Sequence, residues 1–244
     1  MTAPDVPIIR TVGLDGMLVS FGDRLSEPAN RAALALRAAL DREGWPGVEE
    51  TSTSLVSAFL RFDPRRLSHE ALRARLADIL EGRDWTQADL PEGRRLFRIP
   101  TVYGTDLAPQ LDEAAHRAGI SPGQAVAELS SARVRVQTIG FAPGQPYLGA
   151  LPPHWDIPRQ QGLTPRVPEG ALVVAIRQFV LFSVATPTGW RHVGQTAARL
   201  FRPEAPDPFL LRPGDEVEFP SVTREEFDNF KRRRQDGIRM EPLP

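Results

Sequence analysis

Two short apolar runs, Ile8 to Val12 and Met17 to Phe21, are separated by Gly13 and Gly16, which predicts a strand pair joined by a tight turn. Ser26 then stands where it can cap a helix in which Ala29, Ala32, Ala33, Leu36 and Leu40 share one face, with Arg31, Arg37 and Asp41 off it. A helix with one apolar stripe lies on a sheet, and Gly44-Trp45-Pro46-Gly47 ends it. Between Leu55 and Phe62 both alternating sets of residues are partly apolar, which predicts a strand internal to its sheet. Ser68 opens a second helix carrying Leu72, Leu76, Ile79 and Leu80 at helical spacing, and a closing strand is expected near Leu96 to Ile99. The pattern predicts an α+β domain over residues 1–98, two helices on one sheet.

Beyond Pro100 the pattern changes. Asp106 to Ala118 reads as an amphipathic helix with Leu107, Leu111, Ala114, Ala115 and Ala118 inward, and Ser121-Pro122 starts another with proline at its first position. The chain then turns to short apolar or alternating runs: Val134–Ile139, Ala171–Ile176, Phe179–Ala185, Ala198–Phe201 and Glu216–Phe219. Punctuated by Thr186-Pro-Thr-Gly189 and Arg212-Pro-Gly-Asp215, these predict a mainly-β barrel or sandwich over residues 99–244. Thr223 and Glu226 form a capping box for a last, charged helix, with Lys231-Arg-Arg-Arg234 toward its C-terminal end, where cations suit the helix dipole.

One stretch departs from every period. Gly140-Phe-Ala-Pro-Gly-Gln-Pro-Tyr-Leu-Gly149 holds three glycines, two prolines and two aromatics in ten residues, and is expected to be a shaped loop leaving the strand before it. Two readings stand side by side: a tight turn with Phe141 and Tyr147 plugging the core, or a loop whose glycines let a ligand or another backbone approach closely.

Composition narrows the function classes. The chain has 244 residues, 41% hydrophobic and 25% charged, with a net charge of −1, so it carries no field to draw in nucleic acid or acidic lipid. Cysteine is absent, which excludes disulfides and thiolate chemistry. Met1-Thr-Ala-Pro-Asp5 has no basic n-region, and no apolar run is long enough to span a bilayer, so a cytoplasmic protein without membrane or nucleic-acid partners is expected. His69, His116, His154 and His192 are too far apart for a zincin pattern, and no metal site is expected; His192 alone lies by a glycine-rich turn. Phosphate-loop and nucleophile-elbow signatures are missing. What remains is arginine beside Pro/Gly turns, at Pro158-Arg159, Pro165-Arg166 and Gly189-Trp190-Arg191, suited to an anionic ligand or to surface carboxylates.

Four motifs in order resemble the KipI family, also called allophanate hydrolase subunit 1 or PxpB, the B component of 5-oxoprolinase. They are Gly140-Phe141-x-Pro143-Gly144-x-Pro146-Tyr147-Leu148-Gly149; Pro158-Arg159 with Pro165-Arg166, Pro168 and Gly170; Pro187-x-Gly189-Trp190-Arg191-x-x-Gly194-x-Thr196; and Leu211-Arg212-Pro213-Gly214-Asp215-x-Val217-x-Phe219. The resemblance implies a cyclophilin-like β-barrel in the second domain and a ligand site drawn from Gly140, Phe141, Pro143, Gly144, Tyr147, Arg166, Gln178, Gly189 and Trp190. It implies one subunit of an ATP-dependent 5-oxoprolinase that opens 5-oxoproline to glutamate with a KipA-like partner, the PxpC or C component of 5-oxoprolinase, and a third subunit. ATP, with magnesium, would be held by the complex, and the resemblance identifies no catalytic residue in this chain. The family also allows a histidine-kinase inhibitor without catalysis, or a carboxyltransferase component of a urea carboxylase system. Departures from the pattern are Ser130 and Val134 for the family's His and Tyr, Gln145 for Phe, and the run Ala175–Ser183 for a Gly-rich polar turn. Those last residues favour continuous strand.

Overall fold

In the computed structural model, which describes residues 7–243, the chain divides into two compact units between Glu92 and Gly93. The Met1–Asp5 stretch read for targeting lies outside the described residues.

The first unit is a four-stranded antiparallel sheet in the order β1-β2-β4-β3, with β1 Ile8–Val12, β2 Gly16–Ser20, β3 Val48–Ser54 and β4 Ser57–Phe62. Two helices, α1 Glu27–Glu43 and α2 His69–Leu80, are each opened by the serine expected: Ser26 Oγ accepts from the Ala29 N–H and Ser68 Oγ from the Ala71 N–H. Gly44 closes α1 in the left-handed conformation. Register pairs Met17 with Leu60 and Val19 with Ala58, placing these side chains on one face of the sheet. They pack with Ala32, Ala33, Leu36, Leu72 and Leu76 in a single core. β4 is internal, as its two half-apolar faces require. β3 is absent from the sequence pattern because its residues, Val-Glu-Glu-Thr-Ser-Thr-Ser, form a polar edge with no buried face to produce an alternation.

The second unit is mixed α/β, built on a curled, half-barrel sheet of nine strands in the order β15-β5-β14-β7-β8-β11-β10-β13-β6. In chain order these are β5 Arg95–Arg98, β6 Thr101–Tyr103, β7 Val134–Ile139, β8 Pro146–Gly149, β10 Ala171–Ala175, β11 Gln178–Leu181, β13 Arg191–Thr196, β14 Glu216–Glu218 and β15 Arg239–Pro242. A two-stranded ribbon pairs β9 Thr164–Val167 with β12 Thr186–Thr188, and the helices are α3 Leu111–Ala118, α4 Pro122–Ser131 and α5 Arg224–Arg233. Alternation along β10 sends Leu172 and Val174 into the main core with Leu148, Trp155 and Phe179, and Ala171, Val173 and Ala175 into a smaller cluster with Tyr147, Phe182 and Trp190.

Several expectations are corrected. The strand at Leu96–Ile99 does not close the first sheet: β5 runs between β14 and β15 in the second, so the boundary lies at 92/93 rather than 98/99. Helix α3 starts at Leu111 and not Asp106, because Pro109 has no N–H to give and its ring disfavours helix just before it. Ala198–Phe201 makes only an isolated bridge from Phe201 to Phe209. Pro146–Gly149 is a strand, so only the first half of the glycine-rich stretch is loop.

The run at 175–183 is not continuous strand either. Val174 pairs with Phe179 and Ala175 with Gln178, so Ile176 and Arg177 form a two-residue hairpin turn, with φ of 44° and 61°. That turn needs positive φ at both positions, which a β-branched residue resists. Ile176 is exposed and has little packing to lose. Ile176→Asn is therefore expected to stabilise the protein by about 1 kcal/mol, read as a raised urea midpoint at unchanged slope; a lowered midpoint would mean Ile176 is held by contacts and not strained.

Candidate functional site

The smaller cluster marks a face of the sheet with both apolar and polar side chains. Tyr147 lies opposite Val180, and Gly149 opposite Gln178, whose Nε2 donates to Gln137 Oε1 at 2.7 Å. The β10–β13 register shifts between Leu172 and Val173, so Val193 turns into the main core while His192 and Gln195, opposite Val173 and Ala171, share the face of the smaller cluster. Trp190 packs edge-on against Tyr147, with ring centroids 6.3 Å apart, and Thr188 Oγ1 accepts the Trp190 backbone N–H at 3.0 Å.

Arg159 lies over the Trp190 ring, with its guanidinium carbon 5.1 Å from the centroid. It lines a cleft of about 590 Å³ together with Glu113, Arg117, Gln160, Leu163, Thr164 and Arg191. The 158–164 segment is stitched to the turn before β13. Gln160 N–H donates to the Gly189 carbonyl at 2.7 Å, and Gln160 Nε2 to the Trp190 carbonyl at 3.0 Å. Gln110, just before α3, donates to Gln160 Oε1 at 2.8 Å and accepts the His192 N–H at 2.8 Å. Arg191 is almost wholly buried: its Nε donates to Glu113 Oε1 at 2.9 Å and its Nη1 to the Pro158 carbonyl at 2.6 Å. Arg117 and Arg159 are exposed. Three guanidiniums against the one Glu113 carboxylate make the cleft electropositive, two of them exposed to a ligand, Arg159 from its seat on Trp190, and the third rigid.

Tyr147 and Trp190 meet in the smaller cluster, with Gln178 on the same face of the sheet, and Gly189 is tied to the cleft's wall through its carbonyl, so none of the nine expected site residues lines the cleft itself. Gly140, Phe141, Pro143 and Gly144 form the tip between β7 and β8 and do not line this cleft. There the Gly140 N–H is engaged by the Gln145 carbonyl at 3.0 Å, and Phe141 is exposed. A Cβ on Gly144, at φ +71°, would lie 2.9 Å from the Leu200 carbonyl oxygen, so this glycine serves close packing. Arg166 is exposed on β9, on the side opposite the buried Val167. Glu113, Arg117 and Gln110 escape sequence reading because they belong to the polar side and the approach of an ordinary amphipathic helix.

Of the histidines, His154 Nε2 meets Glu128 Oε2 at 2.6 Å, His69 packs edge-on to Phe62, and His116 is exposed. Among the described residues no three His, Cys, Asp or Glu side chains are grouped to hold a metal ion. No described helix is long and apolar enough to cross a membrane. His192 is buried, and Nε2 has no partner within hydrogen-bonding geometry, although the Gln195 side chain is close enough to favour the charged form. Desolvation outweighs that and the Gly194 backbone, holding its pKa below the usual histidine value of 6.5. The unfolded chain therefore takes the proton first, so stability is full above pH 6.5 and falls as the pH drops below it. A lower unfolding midpoint at pH 5.5 than at 7.5, with the drop reduced in His192→Gln, is the expected result; an equal drop in both would exclude His192 as its source.

Comparison with known proteins agrees with this architecture. A family model described as "Carboxyltransferase domain, subdomain C and D" matches residues 7–211. A Bacillus subtilis protein, named as the B component of 5-oxoprolinase, is 29% identical over 237 residues, 91% of this chain and 96% of that one. The crystal structure of TTHA0988 superposes with a TM-score of 0.72 at 34% identity over 88% of this chain, which spans only 40% of that longer chain. Kluyveromyces lactis urea carboxylase shares the fold, with a TM-score of 0.69 at 19% identity over 97% of this chain and 24% of its own. The chain belongs to the carboxyltransferase-domain family, subdomains C and D. Within it, the resemblance to KipI and to the B component of 5-oxoprolinase carried by the four motifs holds.

Proposed function

We propose that this chain is the B component of an ATP-dependent 5-oxoprolinase, opening 5-oxoproline to glutamate only with a KipA-like partner, the C component, and a third subunit. The observation that carries the reading is the arginine-walled cleft beside Trp190, in a chain whose relative is named as the B component of 5-oxoprolinase. 5-Oxoproline is a small lactam with one carboxylate. Arg159 and Arg117 offer forks for that carboxylate, Thr164 offers a hydroxyl group for the lactam edge beside Gln160, whose amide is spent on Gln110, Thr164 and Trp190, and Leu163 gives the ring an apolar wall. ATP would activate the lactam oxygen for attack by water. This chain has no phosphate loop and, among the described residues, no carboxylate cluster for magnesium, so the proposal leaves both to the complex. The part assigned to this chain is to bind and orient the substrate.

The regulatory alternative rests on the altered 175–183 run, which has lost the family's glycines and polar side chains; a turn persists at Ile176-Arg177, so the continuous strand that would have filled the site is not part of that ground. In a complex reconstituted with the partner proteins, Arg159→Ala is expected to raise KM for 5-oxoproline about tenfold with a smaller change in kcat, the loss of roughly one charge-assisted hydrogen bond. An unchanged KM would move the substrate out of this cleft.

A further inference from the structure

A second cleft, of about 610 Å³, opens where α5 ends, and it shares no residue with the first. In a chain of net charge −1 it is walled by four cations, Arg199, Arg202, Lys231 and Arg234, against the single carboxylate of Asp236. Two walls supply them. Arg199 and Arg202 follow β13, and Lys231 and Arg234 end α5. The dipole of α5 accounts for cations on its own last turn but not for the pair brought to it by the other segment.

The cluster is pre-organised. Arg202 Nη2 donates to Asp236 Oδ2 at 2.8 Å and its Nε to the Arg199 carbonyl at 3.2 Å, which ties the two walls together. Arg199 is steadied by Glu204, and the Lys231 ammonium sits 5.5 Å over the Phe227 ring. Arg234 has no carboxylate partner among the described residues, and it caps α5 at φ 54°, a left-handed position that favours glycine. Gly237, at φ +67°, turns the chain back against the Phe230 ring, where a Cβ would come within 2.7 Å, and so fixes the far end of the cleft.

With Arg199 held by Glu204 and Arg202 by Asp236, the Lys231 and Arg234 charges have no carboxylate among the described residues and raise a positive potential that an anion of matching charge relieves. We propose that this cleft binds an oligophosphate, an anion with at least two negative charges whose oxygens take the Arg234 fork and the Lys231 ammonium and compete with Asp236 for Arg202. The inference stands on the cleft alone and does not depend on the reaction proposed above.

The test is isothermal titration of the full chain with inorganic pyrophosphate and, in a second arm, with ADP, both at near-physiological salt. Saturable binding is expected, weakened at least about tenfold in Arg234→Gly combined with Lys231→Gln. Arg234→Gly removes a cation while placing glycine where the backbone favours it, so the variant folds at least as firmly as the parent, and a raised unfolding midpoint verifies this. Equal affinities show that the cleft reads phosphate alone, and tighter ADP binding shows that it reads a nucleotide; both carry the proposal. No saturable binding in either arm, or binding unchanged in the double variant, overturns it.

Discussion

Asp215→Ala is expected to cost about 3–5 kcal/mol of stability, because it breaks a nearly buried ion pair and leaves its partners unsatisfied. Asp215 is 3% exposed. Its Oδ2 accepts from Arg95 Nη2 at 2.6 Å and from the Arg212 N–H at 2.9 Å, and its Oδ1 from the Arg95 N–H at 3.1 Å and Nε at 3.2 Å. The Asp215 carbonyl also accepts the Val136 N–H at 2.8 Å, so one residue joins the turn before β14 to both β5 and β7. In a chain of this length the loss corresponds to a fall of roughly 10 °C in melting temperature, with Asp215→Asn recovering part of it. A shift of about 2 °C or less would mean that the Arg212-Pro-Gly-Asp215 motif is not a structural clasp.

Gly144→Val is expected to cost about 3 kcal/mol, from the strain of a β-branched residue at positive φ and the overlap with Leu200. Gly144 sits at φ +71°, and the atom its Cβ would strike is a backbone carbonyl oxygen that cannot swing aside as a side chain would. Urea denaturation should show a lowered midpoint at unchanged slope. A parent-like midpoint would show that the tip between β7 and β8 moves freely and that its glycine answers to something other than packing.

These two residues show how far the sequence carries and where it stops. Helices with capped ends and one apolar stripe, α1, α2, α4 and α5, are legible because serine or threonine caps and a 3.6-residue period are local signals. Edge strand β3 and short strands such as β6 and β12 are not, because pairing with a distant neighbour, and not their own alternation, makes them strands. Motif matching picks out Gly144, Trp190 and Asp215 alike but does not separate their work. Gly144 is a packing position, Asp215 a clasp and Trp190 the support beneath Arg159, which lines the cleft. The cleft itself is lined by the 158–164 segment and Arg191 and, from far away in the chain, by Glu113 and Arg117 on α3, which are ordinary in their local context.

The measurement that bears most directly on the proposed function is phosphate release from ATP when the purified chain is mixed with its KipA-like partner and the third subunit. The proposal predicts hydrolysis that requires 5-oxoproline and all three proteins, with glutamate formed alongside phosphate. Hydrolysis that proceeds equally without this chain, or a complete mixture that shows no 5-oxoproline-dependent hydrolysis, would contradict it.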